Sequence, residues 1–146
     1  MSYIRVVSVF VCALGLAGAA LAQDKDEKKV DIDVSKLPPV STKTGVTYAT
    51  DIRPIFEKSC FPCHSEKNPK PKGGLKLDSL EAVLKGGEDG PAIVVGNSAK
   101  SMLVANVAHL GDEDDYMPPP KNRGHIGPLT PDQIGLIRAW IDQGAK

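Results

Sequence analysis

The sequence predicts a small all-α domain, and three observations carry that reading. Thr130-Pro131-Asp132-Gln133 combines a capping box with proline at the first helical position, and Ile134, Ile137 and Ile141 then line one face. Ile52, Ile55 and Phe56 fall at i, i+3 and i+4 behind Asp51, which makes a second apolar stripe. Between these two helices lie shorter segments with their own start and stop residues.

In chain order, the first 22 residues read as a signal peptide. Arg5 is the positive end, Val6 to Leu21 is almost wholly apolar, and Ala20-Leu21-Ala22 is a small-residue cleavage site. The apolar run falls short of the ~20 residues of a comfortable membrane span. Retention as a membrane anchor is the alternative. Cys12 sits in mid-run behind Val9 and Val11, unlike a lipoprotein cysteine, and leaves with the signal. Residues 23–45 read as a flexible linker. Asp24 to Lys29 is dense in charges of both signs, and Pro38-Pro39 breaks any regular element. The domain proper is expected over residues 46–146.

Within that domain the first helix is expected to start with Asp51 as N-cap and Pro54 in its first turn, and to run into Cys60. Asn68 to Gly74 is a loop, and Leu75-Lys76-Leu77 a short extended piece. Asp78-Ser79-Leu80-Glu81 reads as a capping box for a short helix over Leu80, Val83 and Leu84, ended by Gly86-Gly87. Asn97 or Ser98 caps another helix carrying Met102, Leu103, Ala105, Asn106 and Val107. Tyr116-Met117-Pro118-Pro119-Pro120 cannot be helical, so Met117 sits on a stiff extended loop. Gly144 suits the position just past the last helix.

The chemistry concentrates at Cys60-Phe61-Pro62-Cys63-His64, at the end of the first helix. Two cysteines three apart with histidine directly after the second form the attachment pattern of a c-type haem. The thiols can add across the two vinyl groups, and His64 is then held beside the iron as an axial ligand. A zinc site would need a second Cys/His pair, but no cysteine follows, and His109 and His125 are sixteen residues apart. A redox-active dithiol would want a βαβ setting, and none is visible. A disulfide across two residues would be strained and would leave His64 unexplained.

Composition agrees with that cofactor. Loss of Arg5 leaves 17 basic against 18 acidic residues, a formal charge of −1, which argues against nucleic acid as a partner. The two cysteines that remain both lie in the motif. Aromatic residues make up 5% of the chain and Trp140 is the only tryptophan, so a buried haem would supply apolar bulk the side chains lack. The apo form is therefore expected to fold poorly.

Met117 is the expected second axial ligand. It lies 53 residues beyond His64, enough chain to wrap a porphyrin edge, and the following prolines restrict the loop. A thioether suits low-spin haem and raises its potential relative to a second imidazole. The other candidates are Met102, read as core packing by its spacing, and His109 and His125. An open iron position is a further alternative, and it would favour gas binding or peroxide chemistry. Lys121 and Arg123 are candidates to meet the propionates.

Several stretches recur together, in this order, in one family. They are Asp51-Ile52-Arg53-Pro54-Ile55, the haem pentapeptide, Gly73-Gly74-Leu75-Lys76-Leu77-Asp78, Gly90-Pro91-Ala92-Ile93-Val94, Met117-Pro118-Pro119, Leu129-Thr130-Pro131 and Ile137 to Ala145. Over about residues 46–145 the chain resembles the planctomycete-type cytochrome c domain, a small relative of class I cytochromes c. That resemblance implies a cytochrome c-like helical domain around one covalently bound haem, with first and last helices packed together, and His64 and Met117 on the iron.

The expected function is therefore an exported, periplasmic monohaem c-type cytochrome that carries single electrons, with Cys60, Cys63, His64 and Met117 holding one haem c. No bond-making catalysis is expected. The partners would be redox proteins, met by a monomer, with a membrane involved only if the N-terminal segment stays as an anchor. Asp112 to Asp115 reads as a solvated acidic loop or, alternatively, as a landing patch for basic partners. The alternatives are a sensor or peroxidase-like domain with an open iron site, and a haem module docked on a larger redox enzyme.

Overall fold

The computed structural model describes residues 33–146, so the expected signal peptide and the first part of the linker lie outside the described residues. Four α-helices follow one another: α1 (Arg53–Ser59), α2 (Leu80–Lys85), α3 (Met102–Val107) and α4 (Pro131–Asp142). Short 3-10 turns join them, and a π-helical turn, Tyr48–Ile52, leads into α1. No strand occurs among the described residues; the one extended pairing is an isolated bridge between Gly87 and Gly90. No helix of the described residues is long and apolar enough to cross a membrane.

The first and last helices meet, as an all-α domain of this kind requires. Phe56 on α1 packs edge-on against Trp140 on α4, with ring centroids 6.5 Å apart. Tyr48 completes an aromatic trio, 6.3 Å from Phe56 and 6.0 Å from Trp140. Ile52, Phe56, Ile137, Trp140 and Ile141 are all fully buried. Their spacing on the two helices is the i, i+3, i+4 pattern that makes one continuous apolar face. The polar tips inside this cluster are satisfied: Tyr48 donates its hydroxyl to the Leu77 carbonyl at 2.7 Å, and Trp140 donates its indole N–H to the Lys146 oxygen at 3.0 Å.

Helix α4 starts as its sequence requires. Thr130 accepts from the Gln133 amide, and the Gln133 side chain accepts from the Thr130 amide. Gly144, at φ 100°, ends it. The start of the first helical segment differs from expectation. Thr47, not Asp51, is the N-cap, because the π-helical turn adds a turn of chain before α1. Asp51 instead lies inside that turn and accepts from the Thr47 amide at 3.0 Å. Similarly, Ser79 rather than Asp78 caps α2, through the Ala82 amide, while Asp78 accepts from the Glu66 amide across the loop.

Residues 33–45, expected to be tether, pack along α4. Leu37 is buried, and the Pro38 carbonyl accepts from the Arg138 guanidinium. Ser41 donates to the Gly135 carbonyl at 3.0 Å, and Gln143 donates to the Lys43 carbonyl at 2.8 Å. Gly135 makes the close approach possible: a Cβ there would stand 2.5 Å from the Pro39 carbonyl oxygen. The prolines exclude helix, as their sequence implies, but an extended segment can still donate and accept along a helix.

Candidate functional site

The site is built at the C-terminal end of α1. The Cys60 and Phe61 amides both bond the Phe56 carbonyl, closing the helix. The chain then turns tightly, with the Cys63 and His64 amides donating to the Cys60 carbonyl at 3.0 and 2.8 Å. The buried Ser65 hydroxyl ties the turn back to the Phe61 carbonyl at 2.7 Å. The return of the chain is fixed by the Leu77 amide on the His64 carbonyl and by the Lys72 amide on the Cys63 carbonyl.

Cys60, Cys63 and His64 all line one cavity of about 390 Å³. Phe56, Leu75, Leu77, Ala92, Leu103 and Val107 supply much of its apolar wall. Met117 joins it from the loop after α3, beside Pro118 and Pro119. The two cysteines are free thiols. Burial, with a smaller contribution from Cys63 nearby, pushes the Cys60 thiol up to about 12, so it is a neutral thiol at physiological pH.

His64 is set up as a neutral imidazole with one nitrogen engaged. Its Nδ1 lies 3.2 Å from the Leu75 carbonyl, and a carbonyl can only accept, so Nδ1 carries the proton. The lone pair is then on Nε2, which is the arrangement a metal-binding histidine needs. Burial holds its pKa below the ordinary value; the bonds to Leu75 and Lys72 oppose that effect. Two thiols, an imidazole nitrogen and a thioether around an apolar cavity form a donor set that fits a covalently held haem.

The other candidates fall differently. Met102, read from its spacing as core packing, lines the cavity as well, because it shares one face of α3 with Leu103, Asn106 and Val107, which also line it. His109 and His125 do not line it. Lys121 and Arg123 do not line it either; the basic side chain on its wall is Lys72, and an acidic one is Asp114. Lys72 lies on the 3-10 turn before the paired glycines, so the Gly73-Gly74 turn was the available signal for it. Asn106 and Ile126 were not foreseen. Ile126 reaches the wall because Asn122 closes its loop with bonds to the Pro119 carbonyl and to both backbone groups of Ile126, each 2.8 Å.

Residues 60–121 match the family model described as Planctomycete cytochrome C. The matched stretch starts at the first thiol and ends just past Met117 and its prolines. No curated protein and no solved structure matched the chain.

Proposed function

Starting from a planctomycete-type cytochrome c domain in this chain, we propose that the protein is an exported monohaem electron carrier. A c-type cytochrome is what the family supports, and haem c is the cofactor it implies. The finer reading assigns a role to each residue. Cys60 and Cys63 would hold a haem through thioethers, and His64 Nε2 and the Met117 sulfur would be the donors to its iron. The observation that carries this reading is that Met117, 53 residues beyond His64, lines the same apolar cavity as Cys60, Cys63 and His64. When bound, the haem supplies one-electron chemistry; the chain's part is to hold the ligands, exclude water and set the potential through burial. The protein acts outside the cytoplasmic membrane as a monomer, passing electrons between redox proteins.

Asp112 caps the 3-10 turn Glu113–Asp115, Asp112, Glu113 and Asp114 are exposed, and Asp114 reaches the cavity wall. The patch therefore lies beside the redox centre and suits basic partners. Replacing Asp112, Glu113, Asp114 and Asp115 by their amides is expected to slow electron exchange with a basic carrier at low salt; an unchanged rate and salt dependence would remove the patch from the proposal.

The deciding experiment is the absorption spectrum of the protein made in a host that matures c-type haem. A low-spin spectrum, the weak far-red band of methionine-ligated ferric haem and indifference of the ferrous form to carbon monoxide are expected. Met117→Ala should abolish that band. A high-spin ferric form that binds carbon monoxide rapidly would replace the carrier by a sensor or peroxide-reactive domain.

A further inference from the structure

His109 was a rival for the iron, yet its ring turns away from the cavity and onto the backbone of Met117. Its Nε2 lies 3.2 Å from the Met117 carbonyl oxygen. Because the carbonyl can only accept, Nε2 is the protonated nitrogen and donates. The Tyr116 ring stacks on the imidazole, with centroids 4.7 Å apart and planes within 5°. On its other side the Met117 peptide is also held, since the Met117 amide donates to the Asn106 carbonyl at 2.9 Å. Met117 is thus gripped by both its N–H and its C=O, from two points at the end of α3.

The backbone at His109 adds an independent reason to assign it a task. The Leu110 amide bonds the Ala105 carbonyl and the His109 amide bonds the Asn106 carbonyl, the two bonds of a Schellman motif ending α3. His109 occupies the left-handed position of that motif at φ 53°, where glycine is the unstrained residue. At the end of α4 the corresponding position, at φ 100°, is Gly144. A histidine at the strained position presents its ring to the Met117 loop, which no glycine could do.

We infer that His109 is a positioning residue: by clamping the Met117 carbonyl it sets how firmly the Met117 thioether is held at the cavity. The inference rests on the reading of Met117 as an iron ligand, and the test separates the two. Ferric holo-protein is titrated with imidazole, an external ligand that must displace the methionine, and loss of the far-red band is followed. Wild type is compared with Met117→Ala, His109→Gly and His109→Gln. Glycine suits the backbone at 109, so His109→Gly leaves the motif intact and removes the imidazole, with its bond to Met117 and its stack on Tyr116. It is expected to keep the band but to yield to imidazole at about tenfold lower concentration, on the order of the effect of one lost hydrogen bond. Glutamine can place an amide N–H near the Nε2 position and should recover much of the loss. If His109→Gly gives no holo-protein, His109→Asn takes its place, since asparagine tolerates the left-handed region and its amide is too short to reach. Identical titrations of wild type and the clamp-free variant, with the band still lost in Met117→Ala, would overturn the role of His109 alone. An unchanged spectrum in Met117→Ala would sink the ligation and the clamp together.

Discussion

The two halves of this domain hold together by different means. Around α1 and α4, Tyr48, Phe56 and Trp140 pack directly on one another and on buried isoleucines, and every polar tip in the cluster has a partner. Around the cavity, short turns and the loop carrying Met117 surround a space that their own side chains do not close. Cys60, Leu75, Met102 and Met117 are only partly buried there. The first half resembles an ordinary helical core. The second combines wall residues that are already buried, Leu77, Ala92, Leu103 and Val107, with partly buried ones that face the open cavity.

The largest expected effect tests that division. In Cys60→Ala/Cys63→Ala, which cannot hold haem covalently, the Leu77 and Met117 amides should lose hydrogen-exchange protection while the α1 and α4 amides keep much of theirs. Equal loss in both regions would mean that the halves form one cooperative unit. Next, Trp140→Ala strikes the self-sufficient half. Trp140 is fully buried against Tyr48 and Phe56, so denaturant unfolding of the holo-protein should show a loss of ~3–5 kcal/mol.

A smaller effect is expected where residues 33–45 lie on α4. Gly135→Ala would place a methyl 2.5 Å from the Pro39 carbonyl, so the segment must lift or the helix must shift. Stability should fall by ~1–3 kcal/mol, and proteolysis between 33 and 45 should accelerate while the far-red band stays. If the segment is equally resistant in the variant, its packing contributes nothing.

The smallest effect is a pH dependence at the entry to α1. The Lys43 ammonium, with the Thr47 amide, holds the Asp51 carboxyl below its usual value of 3.8. A depressed folded-state pKa means that the unfolded chain binds the proton more readily, so this contribution is present above 3.8 and is lost as pH falls below it. Asp51→Asn should therefore be less stable than wild type at neutral pH. The gap should close progressively below pH 3.8, as read by acid unfolding of both proteins. A gap that is constant with pH would mean that the charge of Asp51 plays no part.

Much of the fold was legible because helix signals are local. The capping box at Thr130, the isoleucine stripe of α4 and the spacing of Ile52, Ile55 and Phe56 each lie within a few turns of chain. The pentapeptide at Cys60 was legible for the same reason, since its three functional side chains share one turn. The N-cap at Thr47 was not, because a π-helical turn carries no periodic signature, and Asp51 satisfies the ordinary preference for a cap equally well.

What the sequence determined by itself was therefore most of the helices, the Cys60-to-His64 pentapeptide and the non-helical loop at Met117, though Asn97 caps a separate 3-10 turn and Ser101 stands before α3. The tertiary structure decided which distant residues share a wall: Met117 and Met102 with His64, Lys72 rather than Lys121 or Arg123, and Ile126 through the Asn122 turn. It also decided that Leu37 and Pro38 lie on α4, and that His109 serves the Met117 carbonyl and not the cavity. The physical reason is the same in each case. Periodicity and capping are set by neighbours three or four residues away along a helix, whereas these placements depend on how the loops turn and how the helices cross, from the Asn122 turn to the Pro38–Arg138 contact. The missing side chain of Gly135 and the left-handed turn at His109 acquire their meaning only once another segment is packed against them.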